Sequence, residues 1–114
     1  MKNAAFLLVL FFQFVGAQEL ALVKQDGKFG YLSKTGEFAI QPTFKEAESF
    51  SDGLAGVQEN GKWGFIGPKG NWIIEPGFSK VKSFNSGVCM VEKDKQWVYI
   101  NKKGEVLKMP TSEI

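Results

Sequence analysis

The sequence predicts an all-β protein made of tandem 34-residue repeats. Each repeat is a three-stranded antiparallel meander, and the repeats stack as a short solenoid-like sheet assembly. Three observations carry this. Phe29, Trp63 and Trp97 stand 34 residues apart, as do Gly36, Gly70 and Gly104, and Pro42, Pro76 and Pro110. A fixed period of this length is the mark of a repeat architecture. Asp26-Gly27 and Asn60-Gly61 are strong two-residue hairpin turns, because both central positions of such a turn want positive φ. Between the turns, apolar and polar residues alternate as on half-buried strands.

The first segment, MKNAAFLLVLFFQFVGAQ, is set apart from the fold. Lys2 supplies a basic start, Ala4 to Val15 an apolar stretch too short to span a bilayer, and Val15 and Ala17 the small residues of a signal peptidase site. Residues 1–17 are expected to be a signal peptide and 18–114 the repeat domain. Its units are 20–53, 54–87 and a truncated 88–114.

The second unit shows the elements most clearly. Leu54 to Gln58 reads as a strand, Asn60-Gly61 as its hairpin, and Lys62 to Gly67 as the partner strand. Lys69-Gly70 closes the next turn, as Thr35-Gly36 and Lys103-Gly104 do in the other units. Asn71 to Ile74 forms the third strand. Pro76, like Pro42, lacks an N–H to donate, so pairing is expected to end there. Phe78, Val81 and Phe84 recur every third residue, which suggests a 3₁₀-like or irregular connector. Asn85, Ser86 and Gly87 turn the chain into the next unit. Asp94-Lys95 is a weaker hairpin in the third unit.

The stretches DGKFG and NGKWG, YLSKTGEFAIQPTF and FIGPKGNWIIEPGF, and FSDGLAGV resemble the bacterial WG-repeat family. The third unit departs from the pattern, with Lys95, Gln96, Trp97 and Val98 in place of the Gly-Lys-Trp-Gly quartet. The resemblance implies an all-β tandem repeat with export or surface roles in bacteria, and no defined activity.

Gly30 and Gly64 sit inside strands, where glycine is unfavourable unless something approaches the backbone closely. They are expected to make room for an aromatic ring of a neighbouring strand or unit. Trp63, Trp72 and Trp97 admit two readings. They form the repeat core, which a disulfide-free domain of this size needs, or they present flat faces to glycans. Lys28 and Lys62 beside the turns read as solvated guards of sheet edges. Cys89, in GVCMVE, is the chain's one cysteine and reads as a small buried hydrophobe.

Composition narrows the function. The chain has 114 residues, no His and no Arg, and 14 Lys against 12 acidic residues. Without Arg the bidentate fork that reads guanine is missing, and the lysines are scattered, so nucleic acid is not the expected partner. Without His the usual general base and most zinc sites are lost. Glu59 and Glu75 qualify as catalytic carboxylates by residue type alone, and Gln41 holds the place of Glu75 in the first unit. The expectation is a non-catalytic exported module without cofactor or metal. It would bind or scaffold proteins at the cell envelope, in the periplasm, on the surface or after secretion. The alternative is cell-wall or extracellular glycan binding. No stable membrane span is expected after leader removal, and an open sheet edge could support homo-oligomers.

Overall fold

The structure, a computed structural model, describes residues 19–108. The expected signal peptide and Pro110 lie outside the described residues. Nine strands follow in chain order: β1 (Ala21–Gln25), β2 (Lys28–Leu32), β3 (Phe38–Phe44), β4 (Ala55–Glu59), β5 (Lys62–Ile66), β6 (Trp72–Phe78), β7 (Lys80–Val81), β8 (Val88–Lys93) and β9 (Gln96–Asn101). They form three antiparallel sheets, β1-β2-β3, β4-β5-β6 and β7-β8-β9. The described residues contain no helix, hence none long and apolar enough to cross a membrane.

The hairpins form where the turn residues demand. Asp26 and Gly27 adopt φ of 53° and 79°, and Asn60 and Gly61 adopt 52° and 82°. Two successive positive φ angles give the turn a twist that matches the strands it joins. The third hairpin keeps the geometry with poorer residues, Asp94 at 52° and Lys95 at 66°.

The second hairpin strand meets the third through a bulge, and here two sequence expectations are corrected. Trp63 pairs with Phe78 and Phe65 with Ile74, so the short step on β5 faces a longer one on β6. The first unit repeats this with Phe29↔Phe44 and Tyr31↔Ile40. The extra residues carry Pro76 and Pro42. Proline does not end the strand. It occupies the bulge, where the ladder has already lapsed and a missing N–H costs little. The glycine opposite is explained by the same bulge. A Cβ on Gly64 would lie 2.6 Å from the Ile74 carbonyl oxygen and 2.7 Å from the Pro76 nitrogen. On Gly30 it would lie 2.6 Å from the Pro42 nitrogen. The close neighbour is the backbone of the same unit, not a ring from another.

Of the two forms expected for the connectors, the irregular one holds: they contain no 3₁₀ turn and lie alongside the first strand of the next unit, which they touch through short bridges. Ala47 bridges Val57, and the equivalent Val81 pairs with Val91. The Glu48 N–H donates to the Gly56 carbonyl at 2.8 Å, and the Gln58 N–H to the Glu46 carbonyl at 3.0 Å. In the next unit the Lys82 N–H donates to the Met90 carbonyl at 3.0 Å. The every-third-residue apolar spacing arises because Phe50 and Phe84 each precede a tight turn, at Asp52-Gly53 and Ser86-Gly87, with positive φ throughout. The tail of each unit is thus a flanking strand for the unit that follows.

Two apolar clusters hold the stack together. The first contains Tyr31, Ile40, Ala55, Val57 and Ile66, with Phe44, Phe50 and Trp72 packed against it. The second contains Phe65, Ile74, Cys89, Val91 and Ile100, together with Phe78, Phe84, Leu54 and Val81. The five named first in each cluster correspond position for position at a spacing of 34. Each cluster is a joint. One unit gives the face bearing Tyr31 or Phe65, and the next receives it on the opposite face of its first hairpin. Turns contribute too: Gly70 comes against Ile40, and Gly104 against Ile74.

Candidate functional site

The joint has two sides, so the stack has two unlike ends. The giving face of a unit holds the residue pairs Lys24–Phe29, Gln58–Trp63 and Glu92–Trp97. In the middle unit Trp63 is half-buried and packs against the second cluster. In the last unit the equivalent Trp97 is 40% exposed, and the Lys82 ammonium lies 5.5 Å from its ring centroid. On the same face of the first unit the Lys24 ammonium lies 5.2 Å from the Phe29 ring centroid. Such cation–π contacts are favourable by about 0.5–1 kcal/mol at exposed sites.

The three tryptophans do not share one surface. Trp72 packs against the first cluster, in edge contact with Phe44 at 6.5 Å and 78°. Trp63 belongs to the second cluster, across the middle sheet. Trp63 and Trp72 are half-buried, and Trp97 is the exposed one of the three. Val98 fills the place of Gly30 and Gly64, and its side chain packs onto the second cluster. Gly30 and Gly64 are buried, and Gly36, Gly70 and Gly104 sit at turns with φ between 84° and 88°. Pro42 and Pro76 lie in the bulges of β3 and β6.

The receiving face of the first unit carries Ala21, Val23, Leu32 and Phe38. Val57 and Ile66, the equivalents of Val23 and Leu32, are 0% exposed, as are Val91 and Ile100. Val23, Leu32 and Phe38 are only half-buried, and Ala21 is exposed. Among the described residues, β1 pairs with β2 alone. A shallow hollow of about 260 Å³ opens at its start, lined in part by Ala21, Leu32 and Lys34. A separate groove of about 550 Å³ is lined in part by Lys28, Lys45 and Glu59. Glu75 sits apart, exposed on the bulge of β6.

Sequence reasoning missed the corner between units. The Gly87 N–H donates to the Asp52 carboxylate at 2.7 Å, and the same side chain is 3.4 Å from the Lys102 ammonium. The Ser51 hydroxyl donates to the Phe84 carbonyl at 2.7 Å. The available signal was the FSDG of the first unit against FNSG in the second. Two ionisable groups are caught in the joints. Burial pushes the Tyr31 hydroxyl well above its usual range, with the Glu48 charge adding, and that hydroxyl donates to the Glu48 carbonyl at 2.6 Å. Burial likewise pushes the Cys89 thiol up to about 11.

Neither a curated protein nor a solved structure matches the chain. The family model described as WG containing repeat matches twice in tandem, over residues 29–63 and 63–97. Both matches run from one aromatic of the giving face to the next, and the chain belongs to the WG containing repeat family.

Proposed function

We propose that this chain is a non-catalytic exported module that binds or scaffolds proteins at the bacterial cell envelope. One observation carries the reading. Trp97 stands exposed at the position where Trp63 packs against polypeptide inside the stack. An end face built from joint residues has polypeptide as its matching ligand class. Trp97 with Lys82 above it also has the amphipathic, low-entropy character of interface anchors. The leader features of residues 1–17 support export.

A second reading, glycan binding, rests on the exposed ring of Trp97. Affinity capture with the full chain from an envelope fraction separates the two, run beside co-sedimentation with cell-wall polysaccharide. The expected result is a protein retained by the wild type and lost with Trp97→Ala, with no polysaccharide pelleted. Polysaccharide that pellets with the chain and is lost with Trp97→Ala would overturn it.

A further inference from the structure

We infer that the outer edge of β1 is a strand-addition site. Its occupant is an extended, acidic segment of another polypeptide with the spacing small apolar, two residues, Phe. The inference rests on the protein-binding reading and names the chemistry of one partner surface.

The molecule itself fills the equivalent site twice. Glu46-Ala47-Glu48-Ser49-Phe50 lies along β4, and Lys80-Val81-Lys82-Ser83-Phe84 lies along β8. In both, a small apolar residue meets a valine, Val57 or Val91, and a phenylalanine three residues on enters the joint. β1 offers the same fittings. Val23 stands for Val57 and Val91, and Leu32 for Ile66 and Ile100. The hollow by Ala21 and Leu32 lies where the phenylalanine-bearing end of a connector would arrive. Leu22 and Lys24 occupy the places of Gly56 and Gln58, whose carbonyl and N–H bond the connector. Their backbone groups therefore face the outer edge, and main-chain bonding supplies affinity while the side chains choose the strand.

Charge selects the sequence. Across the pairing, Lys80 stands opposite Glu92, and Glu46 opposite Gln58. The residue that would stand opposite on β1 faces Lys24. Opposite charges across a strand pair attract and like charges repel. An acidic strand such as the first connector therefore suits β1, and a basic one such as the second does not.

The test titrates isotope-labelled full chain with two synthetic peptides, FKEAESFSDG and FSKVKSFNSG, and follows backbone amides by NMR. The acidic peptide is expected to shift the amides of Leu22 to Lys24 and of Leu32, and the basic peptide to bind several-fold more weakly. Lys24→Pro removes the outward N–H and leaves the β2-facing bonds in place, so it should abolish binding with the β2 amides still in their folded positions. An acidic peptide with Phe replaced by Asp tests the hollow without touching the protein's stability, and should bind more weakly. No shift at millimolar peptide, shifts confined to another face, or equal binding by both peptides would overturn the proposal. So would β1 shifts that depend on protein concentration without peptide, which identify a second copy, or displacement of residues 1–18 on titration. A partner captured through Trp97 while both peptides fail would sink this inference and leave the protein-binding reading standing.

Discussion

The two joints are made from the same positions, yet the second is the deeper. Phe78, Phe84, Leu54 and Val81 are all buried in it, at 8% exposure or less. Their counterparts Phe44, Phe50, Leu20 and Ala47 are only half-buried in the first. Three differences account for this. Val81 fills more space than Ala47. Val98 adds a side chain to the second joint where the first has Gly64. The Asp52 carboxylate, tied to the Gly87 N–H and close to Lys102, draws the two corners together over the second joint. The period fixes which positions meet, and the side chains placed there decide how well each joint closes.

The middle sheet serves both joints, receiving through Ala55, Val57 and Ile66 and giving through Phe65, Ile74 and Phe78. Among the glycines the largest effect is therefore expected from Gly64→Ala. Its new Cβ would collide with the backbone of the β6 bulge, and backbone cannot rotate aside as a side chain can. A loss of about 3 kcal/mol is expected, by chemical denaturation, as for overpacking of a well-filled site. Gly61→Ala, at a turn with open space around it, should cost only about 1 kcal/mol through its positive φ. Equal losses at the two glycines would remove the bulge as the reason for the Trp-Gly pair.

Truncating the joint phenylalanines compares the joints directly. Phe84 is 1% exposed and stacks edgewise on Phe65 at 4.8 Å. Phe50 makes the same contact with Tyr31 at 4.8 Å but is half-buried. Phe84→Ala should cost about 4 kcal/mol and Phe50→Ala about half of that, scaled to the area withdrawn from water. Similar losses would mean that the two joints close equally well.

Much of this was legible in the sequence. The period, the hairpins at Asp26-Gly27 and Asn60-Gly61, and the all-β class follow from local chemistry that a turn cannot evade. The bulges were not legible. Pro42 and Pro76 were visible, but a proline that ends a strand and one that occupies a bulge look alike until the pairing partner is known. The role of Gly30 and Gly64 was hidden for the same reason, since the atoms they make way for lie some ten residues on. The unlike fates of Trp63 and Trp97 were hidden too. They occupy one repeat position, and among the described residues Trp63 meets a following face whereas Trp97 does not.

Cys89 makes the second joint sensitive to alkali. Its thiol, 2% exposed, is held neutral to about pH 11 in the fold, whereas in the unfolded chain it ionises from about pH 8.5. The unfolded state therefore loses its proton first. Stability is full below about pH 8.5 and falls as the pH climbs towards 11, by about 3 kcal/mol. Tyr31 in the first joint shifts in the same direction, so its loss begins higher, near the ordinary tyrosine range. Denaturation midpoints of wild type and Cys89→Ala across pH 8 to 10 isolate the second joint. Parallel curves would show that the thiol is not what titrates.

The smallest expected effect is a gain. Lys95 holds φ of 66°, whereas its counterparts Gly27 and Gly61 take the same region without a Cβ to resist it. For a residue with a side chain that region costs about 1–2 kcal/mol. Lys95→Gly relieves the cost but gives the unfolded chain more freedom, so the net stabilisation should be about 0.5 kcal/mol. The gain belongs to the β8–β9 hairpin, which gives Val91, Val98 and Ile100 to the second joint. It should appear as slower amide exchange at those residues, with Val57 and Ile66 in the first joint unchanged. Exchange that slowed at both sites alike would mean that the joints open as one cooperative unit, and the contrast between them would then hold for packing but not for dynamics.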